Sequence, residues 1–330
     1  MKKQMLAILD GEGSSDGNIA STPEDVSTSS PPAFTEIPYP GYHLTNTIHH
    51  DTYPTIDPTK ADLTGKIVFI SGASQGLGKA MAMSFARSGA SGIIIAARSM
   101  NLLDEVAIAM TEAAALVNRS PKILKLMLDV TDIATVENVA AEIRRVFGKL
   151  DVVINNAGRA DNPQAVPLSM SDPDDWWNVW TVNIRGVYLV TRALLPLLTN
   201  NDADNKLIVN IASYVAHFAS PLSSAYCIGK FALLRLTETI HLECAPHNIS
   251  VLSVHPGVVL TDMTKDIPAL MRSTLIDSPQ LSADTLVWLA KERRDWLSGR
   301  YISSTWDMTE LESMKEDITT GDKLKMRMVI

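Results

Sequence analysis

The chain has 330 residues, of which 46% are hydrophobic and 20% are charged, and its formal net charge is -8. That length suits one large α/β domain with appendages or two smaller domains, and the composition is typical of a globular protein. The negative charge argues against nucleic acid or an anionic membrane surface as the main partner. Only Cys227 and Cys244 occur, so we expect no disulfide framework and a reducing, cytoplasmic location.

The sequence before residue 61 has no helical or strand periodicity. Its apolar stretch "MLAIL" is too short for a signal peptide, and runs such as "GIIIAA" fall short of the roughly 20 residues of a membrane span. Residues 11–33 are rich in Gly, Ser, Thr, Pro and acids, which predicts a flexible tail. We therefore divide the chain into a tail and arm (1–60), one domain (61–305) and a C-terminal tail (306–330).

From Lys66 onward, short β-branched runs alternate with longer stretches of helical period. Continuous apolar runs suit strands that are buried on both faces, and intervening helices suit right-handed parallel crossovers. We predict an α/β fold, a doubly wound parallel sheet of about seven strands with helices on both faces. The strand candidates are "KIVFIS", "GIIIAA", "KILKLMLDV", "DVVINN", "KLIVNIA", "ISVLSVH" and "GRYISST".

A glycine-rich stretch, "SGASQGLGKA", joins the first predicted strand to the first predicted helix. Glycines let the backbone turn tightly and approach a pyrophosphate, whose charge is met by amides at a helix N-terminus. The alternative is a plain turn between strand and helix. The spacing of Gly72, Gly76 and Gly78 differs from the common G-x-G-x-x-G form and lacks the Lys-Ser/Thr of a nucleoside triphosphate loop.

In this stretch the chain resembles the short-chain dehydrogenase/reductase family, whose T-G-x-x-x-G-x-G motif appears with Ser71 in the threonine position. The resemblance spans about residues 64–262 and implies a Rossmann-type fold. Further family motifs follow in order: "DV" at Asp129 and Val130, "NNAG" at Asn155 to Gly158, "NIRG" at Asn183, "YCIGK" at Tyr226 to Lys230, and "PGVVLT" at Pro256 to Thr261.

The resemblance implies a dinucleotide site at the carboxyl ends of the strands. Asp129 is expected near the adenine, Asn155 and Ala157 along the ribose side, and Thr261 near the nicotinamide amide, although each could be a turn residue. Asn156 is interpreted as an ordinary loop former. The candidate cofactor residues are Gly72, Ser74, Gln75, Gly76, Leu77, Gly78, Arg98, Asp129, Val130, Asn155, Ala157, Gly158, Tyr226, Lys230, Pro256, Gly257, Val259 and Thr261.

The end of the second predicted strand, "IIIAARS", favours NADP(H) as the cofactor. An NAD site usually offers an acid there to the ribose hydroxyls, whereas NADP needs a cation for its 2'-phosphate. Ala97 stands where the resemblance puts the acid, and the guanidinium of Arg98 suits phosphate. Alternatively, Arg98 is a solvated arginine, and Gln75 stands where many NADP-using relatives carry a basic residue.

Tyr226 and Lys230 are the candidate acid/base pair, because residues four apart share one helix face. A phenol with a pKa near 10 is a proper donor to a carbonyl but a poor base for alcohol oxidation. Lowering that pKa towards neutrality requires roughly 4 kcal/mol, which one cation at about 4 Å can supply. We therefore expect Lys230 to lower the pKa of Tyr226.

Two further residues complete the catalytic set that the resemblance implies. Ser213 lies 13 residues before Tyr226, and its hydroxyl can bond the oxygen that gains charge as hydride arrives. Asn183 is expected to distort its helix and to hold a water linked to Lys230. Alternatively, Ser213 satisfies backbone at a strand end, with Ser220, Ser223 and Ser224 as competitors, and Asn183 is a polar residue inside a helix.

The resemblance implies a ketone or secondary alcohol as substrate, and we expect reduction as the direction and a bulky apolar metabolite as the substrate class. The arm "TNTIHHDTYPTIDPTKADLTGK" and the C-terminal tail resemble fungal members of the family, several of which act in secondary metabolism. The stretch after Thr261 resembles an apolar lid, or else it is a plain surface helix. Its apolar residues are Met263, Ile267, Leu270, Met271 and Leu275. The alternative function is a sensor or scaffold that binds NADP(H) without turnover.

Other features give weaker hypotheses. No metal site is expected, since "IHHD" and "HLEC" lack a second half of a ligand set. Trp176, Trp177 and Trp180 are expected in a core or a subunit interface. The family pairs the helices that bear Asn183 and Tyr226 between subunits, so a homodimer or homotetramer is expected.

Overall fold

The computed structural model describes residues 41–161, 166–219, 223–265 and 272–328. Within them, seven parallel strands form one sheet, as the sequence predicts, and their order is β3-β2-β1-β4-β5-β6-β7. The strands are β1 Ile67–Ser71, β2 Gly92–Ala97, β3 Lys122–Met127, β4 Val152–Asn155, β5 Lys206–Ile211, β6 Ile249–His255 and β7 Tyr301–Ser303. The doubly wound fold class is confirmed.

The strand order reverses between β1 and β4, which pair directly through Val68↔Val152 and Ile70↔Ile154. In open parallel sheets, ligands bind beyond the carboxyl ends of the strands at this reversal. The glycine stretch after Ser71 and the "NNAG" motif that starts at Asn155 both lie there.

Helices cover both faces of the sheet, so every strand except β3 is buried on both sides. Val68 and Ile70 face one cluster of buried side chains, whereas Ile67 and Phe69 face the other. This alternation follows from the period of two in a strand. The helices are α1 Gly76–Arg87, α2 Met100–Ala115, α3 Ile133–Phe147, α4 Pro173–Trp180, α5 Val187–Thr199, α6 Ser224–Cys244, α7 Pro279–Lys291, α8 Met308–Ser313 and α9 Lys315–Thr320.

Strand β3 differs from the expectation of complete burial. It lies at the edge of the sheet, and its Lys122, Lys125 and Met127 are exposed. Charged side chains on an edge strand oppose edge-to-edge association, which explains why this run alone contains two lysines.

The segments on either side of the domain pack against each other. Ile48 forms an antiparallel bridge with Trp306, and the amide of His49 donates to the carbonyl of Thr305 at 2.8 Å. Trp306 is 1% exposed and donates its indole N–H to the carbonyl of Gly41. The predicted tail at 11–33 lies outside the described residues, and the domain boundaries stay predictions.

No helix within the described ranges is long and apolar enough to cross a membrane. The same ranges contain no group of three or more His, Cys, Asp and Glu side chains arranged to hold a metal ion.

Candidate active site

The glycine turn requires glycine for steric reasons. Gly72 and Gly76 have φ of +66° and +52°, in the left-handed region that side chains disfavour. A Cβ on Gly72 would lie 2.9 Å from Cα of Ala157, and one on Gly78 would overlap the carbonyl oxygen of Gly72. The turn therefore packs backbone against backbone at the reversal of the sheet.

Asn156 holds this turn in place. Its side-chain amide donates to the carbonyls of Ser71 and Gly72, at 3.0 and 3.1 Å. The hydroxyl of Ser71 in turn accepts from the amides of Asn156 and Ala157, both at 3.1 Å. Asn156 therefore has a specific supporting contact, whereas sequence reasoning interpreted it as an ordinary loop former.

The turn fits a dinucleotide pyrophosphate. Helix α1 begins at Gly76, and the side chain of Gln75 at its N-cap accepts no hydrogen bond from the first turn. Amides at such an end suit a phosphate group. The side chain of Thr261 lies 3.4 Å from where a Cβ of Gly76 would be, so the "PGVVLT" loop crosses the turn.

Arg98 and Asp129 lie close together beyond the ends of β2 and β3. The guanidinium of Arg98 is exposed. Partial burial raises the pKa of Asp129, but hydrogen bonds from Thr131 and the charge of Arg98 outweigh it and leave the pKa below its ordinary value. A fixed carboxylate and an exposed cation thus flank the region predicted for the adenosine end.

Asn155 has contacts other than those predicted. Its side chain is 3% exposed and donates to Oγ1 of Thr191 at 3.0 Å and to Oδ1 of Asn210 at 2.8 Å. Asn210 in turn donates to Oγ1 of Thr237. The side chain of Asn155 therefore belongs to a buried polar chain across the sheet, and its expected contact with ribose stays a prediction.

Ser213, Tyr226 and Lys230 come together at the carboxyl end of β5. Tyr226 and Lys230 are one turn apart on α6, with Nζ of Lys230 5.5 Å from the centre of the phenol ring. The hydroxyl of Ser213 lies near the phenol and acts to lower its pKa. Lys230 is 5% exposed and donates to the carbonyl of Ile211 at 2.7 Å.

The competing serines have other partners or are not described. Ser223 donates to Asp161 at 2.7 Å, and Ser224 accepts from the indole of Trp176 at 2.9 Å. Ser220 lies outside the described residues. The hydroxyl of Ser213 also accepts from the backbone amide of Val215 at 3.4 Å, as the backbone alternative expects. Its effect on the pKa of the phenol favours Ser213 over the competing serines.

The electrostatics of the pair differ from the expectation. Desolvation raises the pKa of Tyr226 to about 12, against the opposing effect of the Ser213 hydrogen bond. Desolvation also lowers the pKa of Lys230 to about 8. Burial disfavours the charged form of each group, so the phenol is a neutral donor at physiological pH.

Asp161 is a residue near the site that sequence reasoning missed. Its carboxylate accepts from the hydroxyl of Ser223 and, at 3.2 Å, from the backbone amide of Tyr226. It thus satisfies one N–H group in the first turn of α6. The contacts join residues 62 and 65 positions apart, and no local pattern signals them.

Asn183 lies in a π-helical turn, Thr181–Gly186, between α4 and α5. Such turns are common at functional sites. Its Oδ1 accepts from the amide of Arg159 at 2.9 Å, and its Nδ2 donates to the carbonyl of Arg159 at 2.8 Å. The helix is distorted there, as expected, and the side chain supports the loop after Gly158. Its role towards a water stays a prediction.

The predicted lid is described only in part. Ile267, Leu270 and Met271 lie outside the described residues. Met263 is 45% exposed, and its methyl carbon lies 3.8 Å from where a Cβ of Gly158 would be. Met263 therefore lies beside the loop that Asn183 supports.

A family model described as "short chain dehydrogenase" matches residues 66–271. The chain belongs to the short-chain dehydrogenase family. It is 44% identical over 294 residues to the "Short chain dehydrogenase mpl6" of Monascus purpureus, which covers 89% of this chain and 99% of that one.

Two solved structures are similar to this short-chain dehydrogenase. One is a 3-ketoacyl-(acyl-carrier-protein) reductase from Brucella melitensis complexed with NADH, with a TM-score of 0.65, 27% identity and coverage of 73% and 97% of the two chains. The other is a short chain dehydrogenase from Shigella flexneri complexed with NADP. Its TM-score is 0.65 and its identity 27%, and the match covers 74% of this chain and 99% of that one. Membership of the short-chain dehydrogenase family makes the chain an oxidoreductase of a family that binds nicotinamide cofactors.

Proposed function

We propose that this short-chain dehydrogenase is an NADPH-dependent ketoreductase that acts on a bulky apolar ketone. The observation that carries the proposal is the meeting of Ser213, Tyr226 and Lys230 beside the edge where the glycine turn opens. A protein that only senses the cofactor needs the turn but not this set of donors.

The residues have distinct roles in the proposed reaction. A bound nicotinamide supplies or accepts the hydride. The hydroxyl of Ser213 and the phenol of Tyr226 donate hydrogen bonds to the substrate carbonyl, and stabilise the negative charge that develops on its oxygen. The phenol then gives its proton to that oxygen, and the buried Lys230 ammonium stabilises the phenolate that remains.

The direction of reduction is supported by the raised pKa of Tyr226, about 12. A phenol with that pKa carries its proton across the physiological range, which suits an acid rather than a base. NADPH is supported by Ala97, which leaves no carboxylate at the end of β2, and by the exposed Arg98 beside it.

A bulky apolar substrate is supported by exposed apolar side chains in the segments around the site. Phe218 is 38% exposed, Leu260 60% and Met263 45%. Exposed apolar residues that are grouped around a site suit an apolar ligand. The similarity to the Monascus enzyme supports a place in fungal secondary metabolism.

We also propose that the enzyme is a cytoplasmic homodimer or homotetramer. The helices that flank the site expose large apolar side chains, and such a patch is typical of a protein interface. These side chains are Trp177, Tyr188, Ile228, Phe231 and Leu242. A reducing location agrees with Cys227 and Cys244, which are buried free cysteines.

The direct test is a panel of small and bulky apolar ketones, assayed for oxidation of NADPH and of NADH. We expect steady turnover with NADPH and higher kcat/KM for the bulky ketones. Binding of NADPH without turnover across the panel would favour a sensor, and equal use of NADH would reject the cofactor preference.

A further inference from the structure

The N-terminal arm, residues 41–57, contacts the loop that crosses the glycine turn through one carboxylate. Nδ1 of His50 lies 2.6 Å from Oδ1 of Asp277. The other oxygen of Asp277 accepts from the backbone amide of Val258 at 2.5 Å. The side chain of Asp277 is only 3% exposed, against 44% for His50, so the carboxylate is enclosed between the arm and the loop.

Further hydrogen bonds anchor the arm at the same place. The amide of Ser278 donates to the carbonyl of His50 at 2.8 Å. The hydroxyl of Ser278 donates to Asp51 at 2.5 Å. Thr52, two residues after His50, donates from its hydroxyl to the carboxylate of Asp284 in α7 at 2.6 Å. The backbone at His50 and the two residues after it are therefore anchored, and the position of His50 does not depend on the Asp277 contact alone.

The loop is built around Asp277. Gly257 has a φ of +91°, and a Cβ there would lie 2.7 Å from Oδ2 of Asp277. Backbone pairing reinforces the contact, since the amide of Asp277 donates to the carbonyl of Val258 at 3.1 Å. Beyond this point the loop reaches Thr261, which lies against Gly76 of the turn. A shift of Asp277 would therefore move the residues that cross the cofactor cradle.

The charges explain why the carboxylate needs a partner. Burial raises the pKa of Asp277, and the hydrogen bonds from His50 and Val258 oppose that rise. On the arm, burial raises the pKa of Tyr42, and the charge of Asp277 raises it further. Removal of the imidazole would take one of the two printed donors, His50 and the Val258 amide, from a desolvated carboxylate, and the loss of a donor to such a group is costly.

We propose that His50 is a positioning residue of the cofactor site: it acts through Asp277 to hold the 256–261 loop across the glycine turn. The proposal rests on the proposed function, because it assumes that this loop receives the nicotinamide end of the cofactor. It makes the arm a part of the binding site rather than an appendage.

His49 provides a matched control. Its Nε2 lies 2.9 Å from Oδ2 of Asp307, and its ring stacks on Tyr53 at 3.5 Å between centroids. It is the same residue type in the same arm, paired with the same kind of partner. Asp307, however, caps the N-terminus of α8 rather than the loop.

The test compares His50→Ala, His50→Asn and His49→Ala in the full chain, with NADPH as the probe. Fluorescence titration gives the Kd, and hydrogen exchange of the 256–261 backbone is measured without cofactor. We expect His50→Ala to weaken NADPH binding about tenfold, the effect of losing one charged hydrogen bond, and to speed exchange at Val258. At saturating NADPH its kcat should approach that of wild type, so that the loss appears in KM.

The other variants separate positioning from general loosening of the arm. His50→Asn keeps a donor near Asp277, so its Kd and exchange should return to within about threefold of wild type. His49→Ala should change neither, even if it lowers the melting temperature as much as His50→Ala does. Equal effects of His49→Ala and His50→Ala, or unchanged exchange at Val258 in His50→Ala, would overturn the proposal alone. A wild-type protein that binds no nicotinamide cofactor would overturn the proposed function and this proposal together.

Discussion

At the scale of single residues, the site combines two groups whose charged forms are both disfavoured by their surroundings. Tyr226 has a pKa raised to about 12, and Lys230 has one lowered to about 8. The neutral phenol is the form that donates to a carbonyl. Lys230, in contrast, changes charge close to the working pH, so it is the group through which pH acts.

The first prediction concerns Lys230 and stability. Between pH 8 and 10.5 the unfolded chain binds more protons at this position than the folded chain, so its contribution to the free energy of unfolding rises with pH. Lys230→Met lacks this contribution. The unfolding free energy of wild type minus that of Lys230→Met should therefore increase by up to about 3 kcal/mol as the pH rises from 8 to 10.5. Urea unfolding at pH 7.5 and 10 measures it, and a difference that is constant with pH would show that the ammonium is not desolvated.

The second prediction concerns Arg98 and the choice of cofactor. Arg98→Ala should reduce the ratio of kcat/KM with NADPH to kcat/KM with NADH by about 10-fold to 100-fold. The reason is that the substitution removes a contact to the 2'-phosphate, which NADPH has and NADH lacks. Arg145→Ala is the control, since Arg145 is equally charged but lies on α3, paired with Glu142. An unchanged ratio in Arg98→Ala would remove this residue from the cofactor site.

At the scale of elements, the glycine turn owes its shape to contacts between backbone segments. Gly72 packs on Ala157, Gly78 packs on Gly72, and Asn156 bonds both sides of the junction. The turn and the "NNAG" loop are therefore one structural unit, although about 80 residues separate them in the sequence.

The third prediction tests that unit. Gly78→Ala places a Cβ against the carbonyl of Gly72 and should abolish measurable NADPH binding. Gly229→Ala is the same change on α6. There, no atom of the described residues outside the adjacent helix backbone lies within 4 Å of the new Cβ, so the variant should preserve binding and add up to about 1 kcal/mol of stability. Isothermal titration with NADPH decides between them. Gly78→Ala with wild-type affinity would show that the close approach is not required.

Strands and helices were predicted correctly from the sequence where their signal lies in a run of neighbouring residues. All seven strands were identified, because buried parallel strands have continuous β-branched runs bounded by turn residues. The exposure of β3 was not predicted, since its position at the edge depends on strand order. The motifs pointed to Ser213, Tyr226 and Lys230 because these residues are close in sequence. Tyr226 and Lys230 are four residues apart on one helix, and Ser213 follows a strand 13 residues before Tyr226.

The rest of the site depends on contacts between distant residues. Asp161 reaches the first turn of α6 across more than 60 positions, and His50 reaches Asp277 across 227. Nothing in either neighbourhood marks the residue as a partner. The raised pKa of Tyr226 also escaped prediction, because desolvation depends on atoms from several segments, whereas the sequence showed only the neighbouring cation.

At the scale of the whole molecule, a dimer would cover the apolar face beside the active site. The fourth prediction is that wild type sediments as a dimer or tetramer, and that Tyr188→Glu, at a position 51% exposed on α5, weakens association at least tenfold. Ile108→Glu, at a position 61% exposed on α2, is the control and should not change association. Sedimentation equilibrium measures both, and a monomeric wild type would contradict the assembly.

The whole account depends on the phenol of Tyr226 as the proton donor in a nicotinamide-dependent reduction. The most direct measurement is the rate of NADPH oxidation with an accepted ketone by wild type and by Tyr226→Phe, together with the Kd for NADPH. We predict a loss of at least about 100-fold in kcat with a Kd within about threefold of wild type, since the ring remains and only the hydroxyl is lost. Turnover by Tyr226→Phe at a rate near that of wild type would contradict the account.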